Sequence, residues 1–354
     1  TRKDTFGALE SLAPKSRNVG YVAILASFII LSFYSVVGGW SFDYLIRSCA
    51  GSFSGLGLNE ARTVFSSVGS SPVESVSCML VFLGLSAMIV GAGVDKGIGR
   101  FSKISIPVLF LMVVLIAVES LRLPGAEKGV EYLMKPDFSK IDGPAIAAAL
   151  GQSFFSLSLG VGTILTYSSY MREDEDILQA GGWTAFFDTV FALIAGFAIM
   201  PAVFAAGIEP AAGPSLVFET LPVIFSRMGI VLPVVFFLAI LIAALSSSIS
   251  MLEVVVAWLV DQRGMRRSYA VLAVFGAAAA LGSACAVPPR VFSACDFISS
   301  NVLMMIGALS FAIIVGWKMP RAKVLEYVRF RFVYCLIRYV APVMIVAIAV
   351  TNLL

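Results

Sequence analysis

The sequence contains no histidine. That removes the side chain most used as general base, proton shuttle and metal ligand near neutral pH. Its five cysteines, Cys49, Cys78, Cys285, Cys295 and Cys335, are scattered without a C-x-x-C pair. Such spacing argues against a disulfide framework, a zinc site or an iron–sulfur site. No G-x-S-x-G, Walker or H-E-x-x-H pattern occurs, so the usual marks of an enzyme are missing. Charge is scarce as well. Asp, Glu, Lys and Arg make up 13% of the 354 residues, about half the roughly 25% of soluble chains. The net charge of +3 carries no signal for nucleic acid, which is not expected as a partner.

Apolar residues are plentiful: 59% of the chain is hydrophobic and the mean hydropathy is +0.95. Apolar runs of membrane-spanning length recur from end to end, as in a polytopic α-helical protein whose solvent is the lipid bilayer. The expected spans are 19–45, 73–94, 104–121, 143–170, 180–207, 229–260, 268–288, 294–316 and 333–354, nine in all. Tyr34, Gly38 and Gly39 interrupt the first of them. The segment 207–227, with Pro210, Gly213, Pro214 and Pro222, reads as an external loop with short helices.

Residues 1–18 are mixed and basic (Arg2, Lys3, Lys15, Arg17) and show no signal-peptide pattern. The chain starts as though cut from something longer. With the N-terminus in the cytoplasm, 17 of the 25 lysines and arginines fall inside and eight outside. The inside set includes Lys96, Arg100, Lys103, Arg172, Arg263, Arg266, Arg267 and a cluster at 318–338. That bias predicts an N-in, multi-pass protein of the cytoplasmic membrane. The acidic run Glu173-Asp174-Glu175-Asp176 then also lies inside, without conflict, because acidic residues contribute little to the rule.

The fourth span has an unusual centre, Gly151-Gln152-Ser153-Phe154-Phe155-Ser156-Leu157-Ser158-Leu159-Gly160-Val161-Gly162. Glycine weakens helix propagation, and serine offers the backbone competing hydrogen bonds. A helix broken at mid-membrane bares amides and carbonyls, tolerated only inside protein or beside a polar cavity. Such a point can hold a small charged solute. The same small residues would also suit close helix packing.

Asp188 lies in the fifth span, Glu253 in the sixth and Asp296 at the outer start of the eighth. Charges there are costly and usually functional. Apolar sequence continues on both sides of Asp188, whereas Glu253 and Asp296 lie nearer span ends, where hydration is easier. In the sixth span, Ala243, Ser246, Ser247 and Ser250 share one helical face. Hydroxyls and carbonyls of that kind can hold a hard cation without net charge, or the serines can bond back to the preceding turn. Tyr34, deep in the first span, carries a phenol whose hydroxyl needs a partner when buried.

On these residues the chain resembles the neurotransmitter:sodium symporter family, specifically its bacterial amino-acid transporters with the leucine-transporter fold. The resemblance rests on GQSFFSLSLGVGTILTYSSY at 151–170, on Ser246-Ser247-Ser248, and on Asp95-Lys96-Gly97-Ile98-Gly99-Arg100-Phe101 followed by Pro107. Lys135-Pro136-Asp137-Phe138 and Asp296-Phe297 add to it. It implies an all-α inverted-repeat membrane fold formed by residues 1–354 as a single transporter domain. That domain holds family helices three to eleven, so the first two helices are expected from the same longer chain.

The resemblance also implies roles residue by residue. Tyr34 binds the substrate carboxylate, Ile30, Val161 and Met251 line the side-chain pocket, and Phe155 is its aromatic lid. Ser156 lies near the substrate amine and a first sodium, with Ser158 and Gly160 in the unwound segment and Ser247 beside the substrate. Ala243, Ser246 and Ser247 match a second sodium site, and Asp188 stands where the family usually has an asparagine ligand of the first. Phe155 and Asp296 form an outer gate. Tyr170, Glu253 and Asp261 form an inner gate whose arginine would come from the missing segment. Ala192, one turn beyond Asp188, lacks the hydroxyl that often helps hold chloride, which implies chloride-independent sodium binding at Asp188.

The expected function is sodium-coupled symport of a hydrophobic amino acid using one or two Na+ ions, with no organic cofactor. The alternative is a truncated, non-transporting membrane protein of the same fold.

Overall fold

The computed structural model describes all residues except 1–2, 13–15, 136, 173–174, 209–212 and 354. Arg2, Lys15, Pro136, Glu173, Asp174 and Pro210, each named above, lie outside the described residues. Helices α1 (Thr5–Leu12), α2 (Arg17–Cys49), α3 (Leu58–Ser70), α4 (Pro72–Gly91) and α5 (Val94–Leu121) come first. Then follow α6 (Glu127–Met134), α7 (Gly143–Ser156), α8 (Thr163–Ser168) and α9 (Ile177–Ala205). The remainder are α10 (Leu216–Ser226), α11 (Val231–Arg263), α12 (Arg267–Ala286), α13 (Pro289–Lys318), α14 (Arg321–Val328) and α15 (Arg331–Thr351).

Eight of these are long and apolar enough to cross a membrane: α2, α4, α5, α9, α11, α12, α13 and α15. The pair α7–α8 supplies the broken span, giving the expected nine. In the segment 207–227 the described residues form the short helix α10, which contains Pro222. Span ends differ from expectation, that of α5 most of all. Helix α2 extends from Arg17 to Cys49, beyond both ends of 19–45. Helix α5 begins at Val94 instead of 104, because Val94–Gly99 joins it as a π-helical turn.

Tyr34, Gly38 and Gly39, which interrupt the apolar run, lie within a continuous helix. The two glycines serve packing. A Cβ on Gly38 would sit 2.5 Å from the Phe82 ring, and one on Gly39 2.6 Å from the Met79 amide. They let α4 press against the α2 backbone, the small-residue contact that membrane helices use. Helix α2 is the centre of the molecule, packing on α4, α11 and α12. Its serines 32, 35, 41 and 48 each donate to the carbonyl four residues back, so they cost no unsatisfied hydroxyl in an apolar setting. Asp43 is satisfied by Arg47 at 2.6 Å, and Arg47 reaches across to Glu74 of α4 at 2.5 Å. Helix α9 packs against α5 and α6, and α13 against α15.

Helix α1 was not foreseen. Asp4 starts it, accepting the amides of Phe6 and Gly7 at 3.1 Å each, the usual way a carboxylate caps exposed N–H groups. Phe6, Ala8 and Leu9 are buried, and the helix rests on α2, α11 and α8.

Candidate functional site

The broken span builds the site. Helix α7 stops at Ser156 and α8 starts at Thr163, with positive φ at Ser158 (+50°), Gly160 (+91°) and Gly162 (+79°) between them. Other elements satisfy part of the freed backbone. The Ser27 hydroxyl donates to the Val161 carbonyl at 2.6 Å, and the Thr5 hydroxyl to the Gly162 carbonyl at 2.9 Å. The break is therefore held open by α1 and α2. It lies inside protein, the condition under which a membrane tolerates irregular backbone.

Beside the break is a cavity of about 270 Å³. Ile30, Tyr34, Phe155, Ser156, Ser158, Val161, Ser247 and Met251 line it, and all eight were singled out from the sequence. Gln152 and Met304 line it too and were missed. Gln152 stands in the quoted motif, one turn before Ser156, so its position was readable; Met304 is an apolar residue in an apolar span and gave no signal. Gly160, assigned to the same set, does not line this cavity. It turns to α13, where an added Cβ would lie 2.2 Å from the Met304 carbonyl oxygen. Its role is close backbone contact.

The cavity is apolar with a few directed polar groups. Its hydroxyls come from Tyr34, Ser156, Ser158 and Ser247, and the Tyr34 and Ser247 hydroxyls meet each other across α2 and α11. The Ser156 hydroxyl donates to Asp188 Oδ1 of α9 at 2.6 Å. That brings two expected ion ligands together with a donor set of hard oxygens and one negative charge, chemistry suited to an alkali or alkaline-earth cation. At the second expected ion site, α11 is unbroken and the Ser246 hydroxyl donates to the Ala243 carbonyl at 2.7 Å. Ser250 likewise bonds the Ser247 carbonyl at 2.8 Å. Ser248 is tied to Ser86 of α4 at 2.9 Å. Back-bonding, the plainer reading of the serine run, thus holds for Ser246 and Ser250. The Ser246 oxygen keeps its lone pairs free for a cation, whereas the Ala243 carbonyl already accepts that hydroxyl besides its own helical amide.

Glu253 lies nearer a span end, where hydration is easier, yet it is fully buried. Tyr170 donates to it at 2.6 Å, and Arg267 of α12 binds it through Nη1 at 3.1 Å and through a still closer Nη2 contact. Arg267 also donates to the Val90 carbonyl at 2.9 Å. Glu253 is thus paired by an arginine of this chain. Asp261 accepts the Asp4 amide at 3.1 Å, and its neighbour Gln262 donates to the Asp4 carboxylate at 2.9 Å. Burial is the main influence on Asp4 and raises its pKa, against the lowering effect of those hydrogen bonds. Asp296 and Phe155 are exposed, and Ser300 bonds Asp296 at 3.0 Å.

A model of the sodium:neurotransmitter symporter family matches residues 55–354. The chain belongs to that family. The sodium-dependent transporter YhdH of Bacillus subtilis (strain 168), itself uncharacterized, is 34% identical over 369 residues, covering 96% of this chain and 81% of the relative. A sodium-dependent transporter of Haemophilus influenzae is 33% identical, covering 95% of this chain and 79% of its own length. Among solved structures, that of MhsT in complex with L-phenylalanine has a TM-score of 0.89 at 33% identity, covering 99% of this chain and 85% of MhsT. This symporter is accordingly a multi-pass, sodium-dependent transporter of the leucine-transporter fold, and not an enzyme.

Proposed function

We propose that this symporter moves a hydrophobic amino acid across the cytoplasmic membrane, N-terminus inside, driven by one or two Na+ ions. The observation that carries the reading is the cavity at the break. Its wall is largely aliphatic and aromatic, its polar groups are the hydroxyls of Tyr34, Ser156, Ser158 and Ser247 and the Gln152 amide, and Ser156 donates to Asp188. A zwitterion with an apolar side chain matches that distribution. MhsT, bound to L-phenylalanine in its crystal structure, supports the substrate class.

In this reading the Tyr34 phenol donates to the substrate carboxylate, and Ser247 keeps it oriented. Ile30, Val161 and Met251 enclose the side chain, and Phe155 covers it from the exposed side. Ser156 turns its lone pairs toward cation and amine while Asp188 supplies the fixed negative charge. Ala243, Ser246 and Ser247 offer a second, uncharged set of oxygens. The membrane potential adds about 2.3 kcal/mol per charge per 100 mV, so one or two ions suffice for concentrative uptake. Tyr170, Glu253 and Asp261 close the inner side and Asp296 the outer.

The test is sodium-dependent binding of phenylalanine and leucine to the purified protein, with Asp188→Asn beside it in chloride-free buffer. The wild type should bind sodium without chloride, and the variant should lose sodium affinity unless chloride is supplied. Unchanged sodium and substrate binding by the variant in chloride-free buffer would make the charge at 188 structural only. No amino-acid binding by the wild type would end the larger reading.

A further inference from the structure

A second concavity, about 510 Å³, lies away from the substrate cavity, between α4, the start of α5 and α11. Its apolar wall includes Met88, Ile104 and Val108, which are 66%, 61% and 41% exposed. They face outward, as residues covered by acyl chains do. At one end stand Lys96 and Arg100. Both are exposed, and neither makes an ion pair or hydrogen bond with any described side chain. Between the charged end and the apolar wall is Ser105, 7% exposed. Its hydroxyl is buried without a hydrogen-bond partner, a state that costs free energy in any apolar setting.

We infer that this groove is a binding site for an anionic phospholipid. Unpaired lysine and arginine at the end of an apolar groove in a membrane protein recognise a phosphate headgroup, and arginine binds its oxygens in a fork. Arg100 and Ser105 are five residues apart on one helix, a rise of about 7.5 Å. That is comparable to the separation of phosphate and ester carbonyl in a glycerophospholipid. Ser105 then donates to the ester oxygen, which answers its lack of a protein partner. The acyl chain lies along Ile104, Val108 and Met88. The groove is built where the π-helical turn meets α4: a Cβ on Gly97 would lie only 2.0 Å from the Ile89 carbonyl oxygen, so the basic turn is held tightly against its neighbour.

The experiment is native mass spectrometry of the full chain released from nanodiscs that contain dioleoyl phosphatidylglycerol and dioleoyl phosphatidylcholine. The wild type should retain phosphatidylglycerol in preference. Lys96→Gln with Arg100→Gln should weaken that retention about thirty-fold, the equivalent of about 1 kcal/mol for each basic residue near a membrane surface. The swap Lys96→Arg with Arg100→Lys should preserve it, and Lys323→Gln with Arg331→Gln, in another basic segment, should not affect it. Val108→Trp, which fills the groove and leaves both charges, should evict the lipid; this arm decides if the glutamine pair does not fold. Equal retention of the two lipids, unchanged retention in the glutamine pair, or unchanged retention in Val108→Trp would each overturn the inference.

Discussion

The buried pair Glu253–Arg267 allows an asymmetric prediction. The Glu253 side chain is 0% exposed and the Arg267 side chain 26% exposed. Changing Arg267 to Met leaves a buried carboxylate with one neutral donor, the Tyr170 hydroxyl. Removing one partner of a buried pair costs about 3–5 kcal/mol. Changing Glu253 to Gln keeps the shape and an acceptor for Tyr170. The guanidinium retains the Val90 carbonyl and its route to water, so the loss should be about 1.5–3 kcal/mol, that of a charge-assisted hydrogen bond. Arg267→Met should therefore destabilise more than Glu253→Gln by about 1.5–2 kcal/mol, and the double variant should recover part of the larger loss. Unfolding in nanodiscs followed by tryptophan fluorescence measures all three. Equal losses, or a larger loss for Glu253→Gln, would refute the view that the uncompensated charge sets the cost.

Three other perturbations test separate features. Val161→Phe places a larger side chain in the substrate cavity and should penalise tryptophan and phenylalanine relative to alanine in competition binding; an unchanged ranking would remove Val161 from the specificity wall. Gly160→Ala meets both a φ of +91° and the Met304 carbonyl, and should cost at least about 2 kcal/mol. Gly84→Ala, at a helical position where a Cβ meets nothing within 4 Å, should instead stabilise by about 0.5–1 kcal/mol, and thermal unfolding compares the two. Asp4 has a raised pKa because it is buried, so the folded chain holds its proton more tightly than the unfolded one. Its contribution to docking α1 is present below the ordinary value of 3.8 and is lost as pH rises through the raised value. Hydrogen exchange in α1 should accelerate over that window in the wild type and lose this pH dependence in Asp4→Asn.

The parts of this fold that were legible in the sequence are those written in local composition. Spans follow from apolar runs, and the break follows from serine and glycine where Leu, Ile and Val would otherwise stand. Eight cavity residues could be named because the resemblance to the symporter family assigns roles to their positions. What was not legible depends on contacts between distant helices. The packing use of Gly38 and Gly39 was hidden because it lies in α4, some forty residues away. The burial of Glu253 was hidden because it depends on Arg267, which reaches back across the α11–α12 turn. The burial of α1 was hidden because Thr5 and Asp4 find their partners more than 150 residues later, at Gly162 and Gln262. Gly160 lies in the unwound segment as read, but its contact with α13 was hidden because a motif gives position along the chain and not the neighbours met there.

The contact behind Gly160 has a consequence for how this sequence can drift. A Cβ on Gly160 would strike the Met304 carbonyl oxygen, and a Cβ on Gly307 would lie 2.2 Å from the Gly160 carbonyl oxygen. The two backbones touch where neither residue has a side chain to trim. Elsewhere in a core, a larger residue on one side can be offset by a smaller one opposite. Here each obstacle is main chain, so no second substitution compensates the first. Random variation should pass freely through much of the surrounding apolar sequence, trading one aliphatic residue for another, yet leave both of these positions unchanged although they are 147 residues apart.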